Sequence, residues 1–153
     1  MVYTMVNLVI MRHGEAEPQS SQDSQRQLTA KGRADVTQMA QWLATSYQPF
    51  DFILHSPFIR TQQTAELMWH GQSSKPSLQT LAELVPDGDC QQIQLYVDAL
   101  LETQANARIL LVSHMPLVSF LVETFSKTGQ TPIFETSGLV GIEYQPGQRG
   151  VVL

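Results

Sequence analysis

Apolar residues in this chain gather in short runs that alternate with amphipathic segments. Four runs rich in β-branched residues have the length of strands and end at turn-forming residues: 6–11, 50–55, 107–114 and 137–144. A weaker run of the same kind lies at 77–81. Continuous apolar runs are typical of strands that are buried on both faces, so the pattern predicts a covered sheet.

The segments between these runs repeat apolar residues at helical spacing. In the clearest one, residues 30–47, a single face carries Val36, Met39, Ala40, Leu43 and Tyr47 behind Thr29, a predicted N-cap. Further helices are predicted at about 60–70, 91–103 and 116–125, the last with Pro116 as its first residue. Strands that alternate with helices predict an α/β fold, and residues 1–153 are expected to form one domain.

Composition and charge narrow the classes of function. The chain has 153 residues, 42% of them hydrophobic and 15% charged, which is typical of a globular protein with a sizeable core. Its net charge of -5 argues against a nucleic-acid partner, because such proteins neutralise phosphates with a basic face. Any site for an anion must therefore be locally basic.

Two further features concern location and redox chemistry. The first ten residues lack the features of a signal peptide and no apolar run reaches the length of a membrane span, so we expect a cytoplasmic protein without membrane association. Cys90 is the only cysteine, which excludes an internal disulfide and a CxxC site. We interpret it as a partly buried residue without a chemical role.

Basic groups stand at the carboxyl ends of three predicted strands. The first strand is followed by Arg12-His13-Gly14, the run at 50–55 leads through "SPFIR" to Arg60, and the run at 107–114 ends in His114. Parallel strands bring such positions to one edge of a sheet, where α/β proteins bind ligands. Arginine forks match a phosphoryl group, so the sequence predicts a phosphate site.

Two imidazoles at that edge add a candidate nucleophile. A histidine nitrogen can attack phosphorus and form a covalent intermediate, while arginines stabilise the charge of the transition state. Metal binding is the competing use of paired histidines, but the chain has no HxH, HxxxH or HxxE pattern and the arginines would repel a cation, so no metal is expected. His55 and His70 are not accompanied by a comparable set of basic residues and are interpreted as structural.

Four motifs in this order and spacing carry a family resemblance: "LVIMRHGEAE", "LHSPFIRTQQTAE", "LAELVPDGD" and "LLVSHMPLVSFLV". They resemble the histidine phosphatase superfamily, the group related to phosphoglycerate mutases, and most of all its small bacterial phosphohistidine phosphatases. The resemblance covers nearly the whole chain. It implies a three-layer α/β/α sandwich with a mostly parallel central sheet, and neither a metal nor an organic cofactor.

The resemblance also implies roles for individual residues. His13 would be the nucleophile that becomes phosphorylated, and the phosphate would be bound by Arg12, Gly14, Arg60 and His114, the last through a donated hydrogen bond. Glu83 matches the segment in which the superfamily carries a proton donor, although a surface carboxylate is nearly as good an interpretation. Asp87 and Asp89 are weaker candidates.

Three residues near the first motif keep open interpretations. Many members of the superfamily carry Thr, Ser or Asn shortly after Arg-His-Gly, whereas this chain has Glu15 and Glu17, which would penalise small charged esters if they pointed inward. Arg26 either braces the first loop by pairing with an acid or reaches the rim of the phosphate site, and the first interpretation is favoured.

The function expected from these motifs is a phosphohistidine protein phosphatase in signal transduction. Its partner would be a phosphorylated histidine-containing protein, such as a phosphotransfer domain, and phosphate analogues would occupy the same pocket. One alternative is a phosphomonoesterase of the same superfamily that acts on small molecules. A second alternative, from another class, is an inactive module that binds phosphohistidine without turnover.

Overall fold

One mixed sheet carries all the strands of the computed structural model, which describes residues 6–18, 22–127, 129 and 131–152. The strands are β1 (Leu8–Arg12), β2 (Phe52–His55), β3 (Ser77–Thr80), β4 (Ile109–Ser113), β5 (Leu139–Gln145) and β6 (Gln148–Val152). Their order across the sheet is β3-β2-β4-β1-β5-β6. The first four in this order are parallel, whereas β5 and β6 continue the sheet as antiparallel strands.

Each of the four predicted helices is present within a residue or two of its expected bounds. They are α1 (Ala30–Ser46), α2 (Ile59–His70), α3 (Cys90–Thr103) and α4 (Leu117–Phe125). The predicted N-cap is confirmed, because Thr29 accepts a hydrogen bond from Gly32 N at 2.9 Å. Pro116 is the N-cap of α4 rather than its first residue, a shift of one position that proline tolerates because neither position needs its N–H.

Successive residues of the two central strands point to opposite faces of the sheet and build two separate cores. The core on the side of α3 and α4 contains Leu8, Ile10, Ile109 and Leu111, and the core on the side of α1 and α2 contains Val9, Met11, Leu110 and Val112. The continuous apolar runs therefore reflect burial on both faces, as predicted. The fold is the three-layer α/β/α sandwich expected from the sequence.

The last strand, β6, was not predicted from the sequence. It forms a hairpin with β5 through a turn at Gly147, whose φ of 82° favours glycine. β6 lies at the edge of the sheet, and of its residues only Gly150 is buried. An edge strand without a buried apolar face has no alternation to detect, which explains the omission. Among the described residues, no helix is long and apolar enough to cross a membrane.

Candidate active site

The strand order places the three predicted chain segments side by side. β4 lies between β1 and β2, and its register pairs Arg12 with Ser113 and His55 with Val112, so all three strands end at the same edge. His13 N then donates to Ser113 O at 3.0 Å, and the rings of His13 and His114 lie 5.3 Å apart, edge to face. The structure therefore brings His13 and His114 into one site with residues that follow β2.

The hydrogen bonds of His13 determine which ring nitrogen carries the proton. Nδ1 lies 2.7 Å from the carbonyl oxygen of Gly14, which can only accept, so Nδ1 is the protonated nitrogen. Nε2 carries the lone pair, and it accepts a hydrogen bond from Arg60 Nε at 3.2 Å. The backbone of the Arg-His-Gly turn thus presents Nε2 as the nucleophilic atom.

Burial and positive charge keep the His13 ring neutral. Its side chain is only 7% exposed. Desolvation, the largest cause, lowers the pKa of His13 from 6.5 to about 4; the guanidinium groups of Arg60, Arg12 and Arg26 act in the same direction, and the bond to Gly14 opposes them. An unprotonated imidazole at neutral pH is the form that can attack an electrophile.

Two arginines flank this imidazole in different ways. Arg60, the second residue of α2, is 3% exposed, and its guanidinium also lies over the ring of Phe58, 5.0 Å from its centroid. Arg12, at the end of β1, is held by a hydrogen bond from one terminal nitrogen to Phe134 O at 2.9 Å. Desolvation lowers the pKa of both arginines, which remain cations at neutral pH.

His114 is buried beneath the site and is bonded to a chain of hydroxyl groups that the sequence analysis missed. Its Nε2 lies 2.7 Å from Ser56 Oγ, which is 2.5 Å from Thr61 Oγ1. Ser56 also accepts from Phe58 N at 3.2 Å. The signal was present in "SPFIRT", where Ser56 directly follows β2, but only the tertiary structure places its hydroxyl against the imidazole.

Two nitrogen atoms in this basic site are buried and have no hydrogen-bond partner among the residues that the structure describes: Arg12 Nε and His114 Nδ1. Desolvation, then the charges of His13 and Arg60, lower the pKa of His114 from 6.5 to about 2. A buried polar group without a partner costs stability unless a ligand satisfies it. An anion with several acceptor oxygens would accept from Arg12 Nε, and from His114 Nδ1 in the tautomer that is protonated there.

Gly14 was predicted to bind phosphate, but the structure gives its N–H another partner. Gly14 N donates to Thr64 Oγ1 at 3.1 Å, and a side chain at this position would meet Val36 Cγ2 at 2.7 Å. Gly14 is therefore required for the close approach of the Arg-His-Gly turn to α1. A direct contact between Gly14 and a phosphate stays a prediction.

The candidate proton donors lie on the loop after β3. Glu83 is half-buried in a single helical turn, and its carboxylate accepts from Asp89 N at 3.4 Å. Asp89 is the N-cap of α3 and accepts from Gln91 N at 2.9 Å, so its carboxylate has a structural role, and Asp87 is exposed. None of these contacts joins the three carboxylates to His13 or His114, and the role of Glu83 as an acid stays a prediction.

The two acidic residues that follow the Arg-His-Gly turn have partners in the neighbouring loop and helix. Glu15 accepts from Thr29 Oγ1 at 2.9 Å and lies 3.9 Å from Lys31, and Glu17 accepts from Gln27 N at 3.0 Å. These hydrogen bonds hold the loop before α1 rather than any group of the basic site. Charge repulsion of small esters by Glu15 and Glu17 therefore has no structural support.

Arg26 braces that loop, as favoured from the sequence. Its Nε forms an ion pair with Asp23 Oδ1 at 2.8 Å, and a terminal nitrogen donates to Glu17 O at 2.7 Å. Asp23 in turn pairs with Arg60 at 3.1 Å. The sequence analysis did not single out Asp23, because nothing in "SQDSQRQ" distinguishes this acid from a solvated loop residue.

The remaining candidates occupy ordinary structural positions. His55, the last residue of β2, is buried with Nδ1 2.8 Å from Ser56 O, and His70 is the last residue of α2. Cys90 is half-buried at the start of α3, and burial raises the pKa of its thiol. Within the described ranges, no three His, Cys, Asp or Glu side chains are grouped so that they could hold a metal ion.

Comparison with known proteins identifies the class to which this fold and site belong. Residues 8–85 match the model of the histidine phosphatase superfamily (branch 1), and the chain belongs to this superfamily. It is 33% identical to phosphohistidine phosphatase SixA of Escherichia coli (strain K12) over 145 residues, which are 95% of this chain and 89% of that protein. A SixA homolog of Haemophilus influenzae is 32% identical over 126 residues, which are 76% of this chain and 75% of the homolog.

A solved structure gives the same result in three dimensions. The structure of the protein histidine phosphatase SixA complexed with tungstate superimposes with a TM-score of 0.89 at 33% identity, covering 95% of this chain and 93% of the other. The family and fold expected from the four motifs are therefore confirmed.

Proposed function

We propose that this protein is a metal-independent phosphohistidine phosphatase that removes the phosphoryl group from a histidine of a partner protein. The observation that carries the proposal is the pairing of a neutral imidazole, His13, with a buried guanidinium, Arg60, at the lone-pair nitrogen. The two buried nitrogens of Arg12 and His114 that lack a partner among the described residues support it, because a phosphoryl oxygen is an acceptor that fits both. The names of the relatives agree with this class of substrate.

The first step would be phosphoryl transfer to His13. Nε2 attacks phosphorus, the new P–N bond forms as the P–N bond to the substrate imidazole breaks, and the leaving imidazole takes the electron pair of that bond. Charge on the phosphoryl oxygens is stabilised in the transition state by Arg12 and Arg60 and by a hydrogen bond from His114. The bond from His13 Nδ1 to Gly14 holds the ring and stabilises the positive charge that it acquires.

The second step would be hydrolysis of the phosphohistidine intermediate. Water attacks phosphorus, the P–N bond to His13 breaks, and the imidazole leaves in its neutral form once the proton of the water has passed to solvent or to a base. A phosphorylated imidazole leaves readily when its other ring nitrogen carries a proton, so the reaction depends less on a positioned acid than ester hydrolysis does. The proposal therefore does not require Glu83, whose carboxylate is bonded to its own loop.

The proposed substrate is a phosphohistidine on a phosphotransfer domain. One of the similar proteins is described as a protein histidine phosphatase and is complexed with tungstate, an analogue of phosphate. The chain between α2 and β4 contains only β3, a single helical turn and α3. Such short connections leave the site edge without an additional helical cover, which suits a substrate presented by another protein.

Rapid quench with a phosphohistidine-bearing phosphotransfer domain tests this function. We expect an acid-labile, alkali-stable phosphate on the enzyme in the first turnover, and mapping should place it on His13. His13→Gln should abolish both the intermediate and turnover, whereas His70→Gln, at the end of α2, serves as the matched control and should retain both. Normal turnover by folded His13→Gln would refute the proposal.

A direct comparison of substrates separates the alternatives. The phosphotransfer domain should be hydrolysed with a kcat/KM far above that of small phosphate esters such as p-nitrophenyl phosphate. The opposite ranking would favour a small-molecule phosphomonoesterase. Binding of phosphorylated protein without release of phosphate would favour an inactive binding module.

A further inference from the structure

Asp23 makes a set of contacts to Arg60 that the reaction as proposed does not use. Arg60 donates from one terminal nitrogen to Asp23 O at 2.8 Å and from the other to Asp23 Oδ2 at 3.1 Å. Its third nitrogen, Nε, donates to His13 Nε2. Each nitrogen of the guanidinium thus has one acceptor, and both terminal nitrogens, which form the fork that would bind phosphate, donate to the backbone and carboxylate of one residue.

The position of Asp23 makes it a competitor for the same donors as a phosphoryl group. The Arg60 side chain is 4% exposed and that of Asp23 is 36% exposed, so the carboxylate is the partner nearer to solvent. The other oxygen of this carboxylate is paired with Arg26 at 2.8 Å. Among the side-chain contacts described above, it is the one carboxylate bonded to a guanidinium of the basic site.

The loop that carries Asp23 also has hydrogen bonds that do not involve the carboxylate. Glu17 N donates to Gln27 O at 2.9 Å, Leu28 N donates to Gln63 Oε1 at 2.8 Å, and Arg26 bonds the carbonyl of Glu17. The base of the loop therefore has its own backbone and side-chain hydrogen bonds. Removing the charge of Asp23 should leave the loop folded, which makes a role beyond loop stability testable.

We propose that Asp23 competes with phosphate for the Arg60 fork and thereby weakens the binding of free phosphate and small phosphate esters. The inference rests on the proposed function, because it takes Arg60 as a phosphate ligand. A small ester or inorganic phosphate must displace Asp23 with the binding energy of the phosphoryl group alone. A phosphoprotein meets the same cost, but it has additional surface whose binding energy can offset that cost.

The test is the binding of inorganic phosphate to folded Asp23→Asn, which keeps the size of the side chain and removes its charge. We expect phosphate to bind about two- to fivefold more tightly than to the wild type, in line with the loss of one partly exposed ion pair. Asp23→Asn should also raise kcat/KM for p-nitrophenyl phosphate. Unchanged or weaker phosphate binding by the folded variant would overturn the proposal. Weaker binding is the result expected if Asp23 instead holds Arg60 in place for phosphate.

Two matched variants keep the result interpretable. Asp35→Asn removes one negative charge from α1, where Asp35 pairs with Lys31 at 2.9 Å, and should leave phosphate affinity unchanged. Equal tightening by Asp35→Asn would show a general charge effect and overturn the role of Asp23. Arg60→Gln should lose phosphate binding. If Arg60→Gln loses it while Asp23→Asn has no effect, only the proposed competition is wrong. If neither variant has an effect, the proposed phosphate site itself is wrong.

A second measurement covers the case in which Asp23→Asn does not fold. In the wild type, the carboxyl carbon of Asp23 should shift in a ¹³C NMR titration with inorganic phosphate, because its pairing with Arg60 is displaced. The carboxyl carbon of Asp35 should not move. A phosphate titration that saturates without a shift of the Asp23 resonance would overturn the proposal.

Discussion

Arg60 Nε donates a hydrogen bond to His13 Nε2 at 3.2 Å, and this single contact joins the guanidinium to the atom that would attack phosphorus. The bond occupies the lone pair of Nε2 as long as no phosphoryl group is bound. When a phosphate enters, its oxygens are stronger acceptors for a guanidinium than a neutral imidazole is. Transfer of Arg60 from His13 to the phosphoryl oxygens would therefore both release the nucleophile and stabilise the charge of the transition state.

The protonation of His13 gives the first prediction. Its pKa is lowered from 6.5 to about 4, mainly by burial, so the ring should stay neutral throughout the range in which an ordinary histidine titrates. In NMR titrations the Cε1 proton of His13 should show its midpoint near pH 4, with His13→Gln used for assignment. A midpoint near 6.5 would show that burial and the nearby arginines do not control this ring.

The hydroxyl chain beneath His114 gives the second prediction. For Nδ1 of His114 to donate to phosphate, Nε2 must accept from Ser56 Oγ, so Ser56 Oγ can then only accept in its contact with Thr61 Oγ1. Removing the Ser56 hydroxyl in Ser56→Ala should lower kcat/KM about tenfold, the size expected for one buried hydrogen bond.

A spectroscopic signature separates positioning by Ser56 from a general effect on the fold. With tungstate bound, the ¹⁵N shifts of His114 should report a proton on Nδ1 in the wild type and a mixture of tautomers in Ser56→Ala. Thr61→Val removes the next hydroxyl at constant volume and should act in the same direction. An unchanged tautomer in both variants would contradict the prediction.

The close packing of the first turn of α1 against the site loop gives the third prediction. A Cβ at Gly32 would lie 2.1 Å from Glu15 O, which follows the Arg-His-Gly turn. Gly32→Ala should destabilise the protein by about 1–3 kcal/mol through overpacking, although alanine is the better helix former by about 1 kcal/mol. Urea unfolding measures the change in the free energy of unfolding. Ala34→Gly, at an exposed position of α1, is the control and should be less stable than the wild type, because alanine is the better helix former there.

The two buried histidines give the fourth prediction, which concerns acid stability. Folding lowers the pKa of His13 to about 4 and that of His114 to about 2, both from 6.5, so the unfolded chain binds protons first as the pH falls. Their contribution to stability is complete above pH 6.5 and is lost as the pH falls toward the folded pKa values. At about pH 5, each histidine should lower the free energy of unfolding by about 2 kcal/mol relative to its value at neutral pH.

Urea unfolding at several pH values measures this loss. His13→Gln should remove part of the pH dependence between pH 6.5 and 4, because glutamine does not titrate. His55→Gln serves as a control for the loss of a buried histidine outside the pair, since its Nδ1 is bonded to Ser56 O at the end of β2. A wild type whose stability is flat across this range would contradict the prediction.

The amphipathic and apolar patterns were sufficient to predict most of the architecture. The four α-helices and five of the six strands follow from residues that are close in sequence, since the face of α1 and the apolar run of β1 are local properties of the chain. The edge strand β6 has no such pattern, because only Gly150 among its residues is buried. Its formation depends on β5, which supplies its hydrogen-bond partners.

The site divides in the same way. By itself the sequence determined that Arg12, His13, Arg60 and His114 lie at or after the ends of three strands, and the α/β alternation implied that these ends meet. Only the tertiary structure decided that Nε2 of His13 carries the lone pair, that Ser56 is hydrogen-bonded to His114, and that Asp23 is paired with the Arg60 fork. The physical reason is that a tautomer, a pKa and an ion pair depend on burial and on partners that are distant along the chain, such as Asp23 and Arg60, and no local pattern records which distant groups will meet.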